Sequence, residues 1–191
     1  MIPMSIITAT LLTLIYISVV VGEQCRTKVR HGRYPWFARL NIRIPGYENS
    51  RFCVGSVINN HYILTAAHCI DRANIVYVGL SYDFDNYFTA AKFIPHPLFN
   101  GSRNLPHDIV LVKLEKPMVF SKRLKPICLP PSNIDTSGDL NNDCNNWYGR
   151  RLLESHMCAG AARKGSCVGY SGGPLFKKVN GKNYVVGIVS M

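Results

Sequence analysis

The sequence predicts an all-β protein built as two β-units, the second incomplete, and three observations carry that expectation. Short runs rich in β-branched and aromatic residues recur between Gly, Pro, Asn and Asp, the pattern of a barrel or a sandwich. A proline-bounded stretch, Pro126-Ile127-Cys128-Leu129-Pro130-Pro131, reads as a link between two barrels. Six strand candidates precede the link and about two follow it, too few for two equal closed barrels, in which every edge is paired.

The candidates fall in order along the chain. Tyr34 to Leu40 opens the series, followed by Phe52 to Ile58, Tyr62 to Thr65, Ile75 to Leu80, Tyr87 to Ile94 and Ile109 to Leu114. Runs such as Ile75-Val76-Tyr77-Val78 favour strands because branched and aromatic side chains pack well on a pleated surface. Beyond the link, Ser132 to Asn142 is polar and turn-like. The stretch from Cys144 to His156 has room for one or two helical turns, with Trp147, Leu152 and Leu153 facing inward. Two last strand candidates surround Pro174-Leu175-Phe176 and Tyr184 to Val189. No internal repeat or low-complexity tract interrupts this order.

Composition narrows the function. Lys and Arg exceed Asp and Glu to give a net charge of +11 over 191 residues. No five-residue basic run and no interleaving of aromatic and basic residues points to nucleic acid, so the excess reads as solvated surface rather than a dedicated polyanion site. Ile6 to Gly22 is apolar and uncharged, short of the ~20 residues of a membrane span, and ends in small or branched residues. It reads as a secretory signal over 1–22, the alternative being an uncleaved anchor, and no stable membrane association is expected of the mature chain. Seven cysteines fit an oxidising, extracellular setting, and their odd number leaves one thiol without an intramolecular partner. There is no Cys-x-x-Cys pair, so neither a metal nor another cofactor is expected.

The chemistry gathers in three segments. Gly165-Ser166-Cys167-Val168-Gly169-Tyr170-Ser171-Gly172-Gly173-Pro174 sets a serine on a glycine-rich turn, where the amides of Gly169 and Ser171 can converge on a developing oxyanion. Upstream lie Thr65-Ala66-Ala67-His68-Cys69 and His107-Asp108-Ile109-Val110-Leu111. A histidine, then an aspartate, then a serine is the chain order of chymotrypsin-type proteins, unlike that of subtilisins and α/β-hydrolases. From about Tyr34 onward the chain resembles the trypsin/chymotrypsin family of serine proteases.

The resemblance implies two six-stranded Greek-key barrels of trypsin type, a first over about 34–125 and a partial second over about 132–191, after a short segment 23–33. It implies His68 as general base, Asp108 as the carboxylate that orients it and Ser171 as nucleophile acting on a protein or peptide substrate. His107, His31, His61, His96 and His156 are expected to be spectators. Gly169 and Ser171 would form the oxyanion hole, and Gly165 and Ser190 would lie at the substrate pocket. Gly165 stands where trypsin-like members carry an aspartate, which removes the basis for choosing Lys or Arg. Cys53 and Cys69 resemble the disulfide bracing the histidine loop, Cys144 and Cys158 a second bridge, and Cys25 and Cys128 a tether from the N-terminal segment to the link. Cys167 is left over. Asn100-Gly101-Ser102 is a sequon that is as readily unmodified as glycosylated.

The chain departs from the family where Tyr170 replaces the aspartate before the nucleophile, the residue that pairs with the new amino terminus of an activated zymogen. No Ile-Val-Gly-Gly-like sequence precedes Tyr34, and a tyrosine at 170 can bury its ring where an unpaired carboxylate could not be buried. Strands normally found between the link and Cys144 are also lacking, and the family continues beyond Ser190-Met191 into a strand and a helix. A secreted endopeptidase, a homologue with impaired catalysis acting as a binding or regulatory module among cascade proteins, and a fragment that does not fold are therefore the competing expectations.

Overall fold

Alternation with a period of two turns the first half of the chain into a closed barrel. The computed structural model describes residues 34–80, 83–101, 106–132, 134, 156 and 169–190. Its strands are β1 (Phe37–Arg43), β2 (Arg51–Val57), β3 (Tyr62–Thr65), β4 (Ile75–Leu80), β5 (Asp83–Pro95), β6 (Val110–Leu114), β7 (Pro174–Val179) and β8 (Lys182–Ile188), with one short helix, α1 (Ala67–Ile70), after β3. The first six close in the order β1-β2-β3-β6-β5-β4, and β4 returns antiparallel to β1 to give the Greek-key arrangement. β7 and β8 form a separate two-stranded sheet.

Inward positions of β1, β4 and β6 are apolar. Ala38, Leu40 and Ile42 of β1, Val76, Val78 and Leu80 of β4, and Val110, Val112 and Leu114 of β6 are all buried. Each fully buried Val, Leu or Ile contributes about 1.5–3 kcal/mol relative to exposure, which makes this interior the main stabilising element.

Two sequence expectations shift in detail, and one element is new. Tyr34 to Trp36 is a turn leading into β1, with the Phe37 N–H on the Tyr34 carbonyl at 3.1 Å. β5 begins at Asp83, earlier than the aromatic run suggests, because it pairs with both β4 and β6 and bulges at Ala90–Lys92. α1 carries no strong helix signal; it is one turn that redirects the chain after β3. The possible helix at 144–156, the leader 1–22 and Cys25, Cys144, Cys158, Gly165 and Cys167 lie outside the described residues, apart from His156.

The link holds the later sheet to the barrel. Leu124 and Ile127 are buried, and the N–H groups of Lys125 and Ile127 donate to Pro35 O and Val57 O at 3.1 and 2.9 Å. Cys128 pairs in parallel with Tyr184 of β8. The Phe176 ring of β7 meets the rings of Trp36 and Tyr34 edge-on, each at 5.4 Å between centroids. Trp36 is fully buried, with Phe176 of β7 among the rings packed on it. Among the described residues no helix is long and apolar enough to cross a membrane.

Candidate active site

The site is assembled where β3, α1, the segment before β6 and the turn before β7 meet. β3 ends at Thr65, and the chain turns through Ala66 into α1, carrying His68 to the barrel rim. No side chain caps α1 from its N-cap residue Ala66. Asp108 instead receives the His68 amide on one carboxylate oxygen at 2.7 Å and the His68 ring Nδ1 on the other at 2.6 Å. One carboxylate thus fixes both the backbone and the imidazole of the same residue across 40 positions of sequence.

Asp108 is held on the opposite side as well. His107, just before it, has φ 54°, and its carbonyl accepts the Ile109 amide at 2.7 Å, a tight turn that aims the carboxylate at α1 before β6 begins. The Ser190 hydroxyl donates to the same oxygen that holds the imidazole, at 2.5 Å. The Asp108 side chain is only 3% exposed. Burial, the largest single influence, pushes its carboxyl up, but the hydrogen bonds from the His68 ring, Ser190 and the His68 amide, with the His68 charge, outweigh it and hold the pKa below the usual carboxylate value. Ionised Asp108 needs a donor facing it, so His68 carries its proton on Nδ1 and leaves the Nε2 lone pair open as an acceptor.

Ser171 is buried in the turn before β7, and that turn is fastened to the first barrel. The Val54 amide of β2 donates to Ser171 O at 2.9 Å, while Val54 O accepts the Thr65 hydroxyl at 2.7 Å. Gly172, at φ +84°, packs so closely that a Cβ would overlap Thr65 Oγ1 and Val54 O and come within 3.1 Å of the Ala66 amide. The serine turn therefore rests on Thr65–Ala66, three and two residues before His68. Within the turn, the Gly172 N–H donates to Val189 O at 2.7 Å and the Gly173 N–H to Tyr170 O at 2.9 Å. Gly169 adopts φ +95°, a conformation that favours glycine.

Several expectations meet a more specific outcome. Cys53 and Cys69 are joined in a disulfide, with Cys69 Sγ 3.8 Å from His68 Nε2. Both sulfurs near His68 are thus committed to each other, and neither remains as a thiolate for a metal. Cys128 is disulfide-bonded, and its expected partner Cys25 lies outside the described residues. Ser190, expected at the substrate pocket, places its hydroxyl on Asp108. Tyr170 does not bury its ring: the residue is 54% exposed, because its carbonyl, not its side chain, holds the turn. His107 stacks its ring on His96, centroids 4.7 Å apart, away from any expected catalytic task. Two further supports have no local sequence signal, the Val54 amide on Ser171 and the Arg51 guanidinium, whose Nη1 donates to His68 O at 3.0 Å.

The same residues place the chain among known proteins. The family model described as Trypsin matches it in two stretches, residues 23–140 and 133–191. A CLIP domain-containing serine protease B4 from Anopheles gambiae is 30% identical over 90% of this chain and 62% of its own length. Serine proteinase stubble from Drosophila melanogaster is 29% identical over 83% of this chain, and hepatocyte growth factor activator serine proteases from Canis lupus familiaris 28% over 83%. The chain spans only 26% and 31% of the lengths of those two. A solved structure described as HL collagenase superposes with a TM-score of 0.65 at 24% identity, covering 85% of this chain and 86% of the other, a likeness of fold.

Proposed function

From the premise that this chain belongs to the trypsin family, we propose that it is a secreted serine-type endopeptidase that cleaves protein or peptide substrates with His68, Asp108 and Ser171. The observation that supports this most directly is the two-point grip of Asp108 on His68, with the Ser171 turn resting on the same barrel corner.

In the proposed reaction, the Ser171 hydroxyl attacks the scissile carbonyl carbon as its proton passes to His68 Nε2. Imidazolium forms beside ionised Asp108, whose depressed pKa keeps the proton on the ring. The carbonyl oxygen becomes an oxyanion facing the Gly169 and Ser171 amides. Collapse of that intermediate breaks the C–N bond, and Nε2 returns the proton to the leaving amine. Water then attacks the acyl-serine by the same route in reverse. His68 relays every proton in this scheme, while the Gly169 and Ser171 amides donate hydrogen bonds and keep their protons.

One observation favours the second reading, an impaired homologue that acts as a regulatory or binding module beside other proteases. Tyr170 stands where the family keeps an aspartate, and its exposed ring supplies no internal ion pair to hold the Gly169 and Ser171 amides in register. Losing one oxyanion donor lowers turnover by about 10²–10³. A fluorophosphonate probe on the secreted, folded protein separates the readings. Endopeptidase function predicts labelling of Ser171 that disappears in His68→Ala, together with hydrolysis of casein or a mixed peptide library. Labelling without hydrolysis supports the impaired homologue, and no labelling of a folded sample refutes the catalytic assignment.

A further inference from the structure

We propose that the corner where the link meets the β7–β8 hairpin binds a sulfated polysaccharide through Lys122, Arg123, Lys125, Lys178 and Lys182. The residues come from two segments distant in sequence that the parallel pairing of Cys128 with Tyr184 brings side by side. Cys128 N–H donates to Asn183 O and Val185 N–H to Cys128 O, both at 3.0 Å. Running back from that pair in parallel, Lys125 comes alongside the Gly181–Lys182 end of the hairpin.

Both supports are tight turns. Asn180 and Gly181, at φ 49° and 76°, make the two-residue turn that joins Val179 of β7 to Lys182 of β8, with Lys178 one position further back. Ser121 accepts the Arg123 and Leu124 amides on its hydroxyl at 3.1 and 3.2 Å, and its own N–H donates to Leu124 O at 3.0 Å, which sets Lys122 and Arg123 on the second turn. Lys178 pairs with Asn183 and Val179 with Lys182, so Lys178 and Lys182 sit at adjacent rungs beside the turn, on opposite faces of the hairpin.

The charge here is one-signed. Residues 116–131 and 174–190 contain no Asp or Glu. Among the described residues the ion pairs are His68–Asp108 and Arg72–Asp71, so Lys122, Arg123, Lys125, Lys178 and Lys182 form none. Lys122, Arg123 and Lys178 are exposed, and Lys125 and Lys182 are half-exposed. Like charges gathered on stiff turns without counter-ions raise the local potential and gain most from a ligand whose anions repeat along a chain. The turns present Lys, Arg, Asn and Gly, which suits charge-assisted hydrogen bonds to sulfates better than base stacking. The corner is carried by the link and the hairpin rather than by His68, Asp108 or Ser171, so the inference stands whether or not the chain turns over substrate.

The test is binding of the secreted chain to immobilised, size-defined heparin across a salt series. Affinity is expected to fall steeply with salt and to vanish on chemically desulfated heparin. Lys122→Glu, Arg123→Glu, Lys178→Glu and Lys182→Glu together should weaken binding by at least about tenfold at physiological salt, since each lost contact lowers the log–log salt slope by roughly 0.9 in the analogous case of duplex DNA. A variant with equal net charge, Arg43→Glu, Arg72→Glu, Lys92→Glu and Lys113→Glu, should change affinity by less than about threefold, because these residues lie on β1, after α1, on β5 and on β6 rather than on the link or the hairpin. The proposal is overturned if wild-type protein does not bind, if both variants weaken equally, or if phosphatidylserine vesicles bind as tightly with the same variant dependence. Should the charge-reversed corner fail to fold, the matching Gln substitutions carry the same test.

Discussion

Ser190→Ala should raise the pKa of Asp108 and weaken the fold at neutral pH. The serine hydroxyl donates at 2.5 Å to a carboxylate whose side chain is 3% exposed, so water cannot readily take its place. A hydrogen bond to a charged group contributes about 1.5–3 kcal/mol, so losing this donor lets the carboxyl pKa rise and costs about that much stability at neutral pH. The sign follows from linkage. Asp108 is depressed in the folded state, so its contribution is fully present above the unfolded carboxylate value near ~3.9 and is lost as pH falls through the folded pKa. Removing the Ser190 donor narrows the gap between folded and unfolded pKa values, so the substitution costs most at pH 7 and least in strong acid. Urea denaturation at a series of pH values measures this directly. In an Asp108→Asn background the same change should cost only about 0.5–1.5 kcal/mol, as for a neutral hydrogen bond. Equal losses at pH 7 and at pH 2, or no loss at all, would refute the reasoning.

Gly172→Ala should destabilise the fold by more than about 1–3 kcal/mol, since it combines a left-handed φ of +84° with overlap on Thr65 and Val54; thermal melting and fluorophosphonate labelling should fall together. Replacing both Cys53 and Cys69 by Ala should cost about 3 kcal/mol for their 16-residue separation, measured by denaturation under oxidising conditions and absent when the parent is reduced. Phe176→Ala should cost about 3–5 kcal/mol and quench or shift Trp36 fluorescence, because the Trp36 and Tyr34 rings lose their edge contact; an unchanged emission spectrum would contradict the packing.

The barrel was legible because its signal is local. Ile75-Val76-Tyr77-Val78 and Val110 to Leu114 alternate in the way their inward and outward faces require, and both are strands of that register. α1 was not legible, since four residues cannot show a helical period, and its geometry is set by the Asp108 carboxylate at its start. Tyr170 was misjudged for a related reason. Burial of a ring depends on the surroundings, and here the turn is closed by backbone bonds at Gly172, Gly173 and Val54 that leave the ring outside.

The residue identities alone determined the class of fold and the three segments that carry His68, Asp108 and Ser171, because strand periodicity and glycine turns are encoded within a few neighbouring positions. Only the tertiary structure decided that Ser190 serves Asp108, that Val54 holds the serine turn, that Phe176 closes over Trp36, and that two separate basic segments form one corner. Each of those contacts joins residues far apart in sequence, and their register is fixed by how whole strands pack rather than by any pattern a short window can contain.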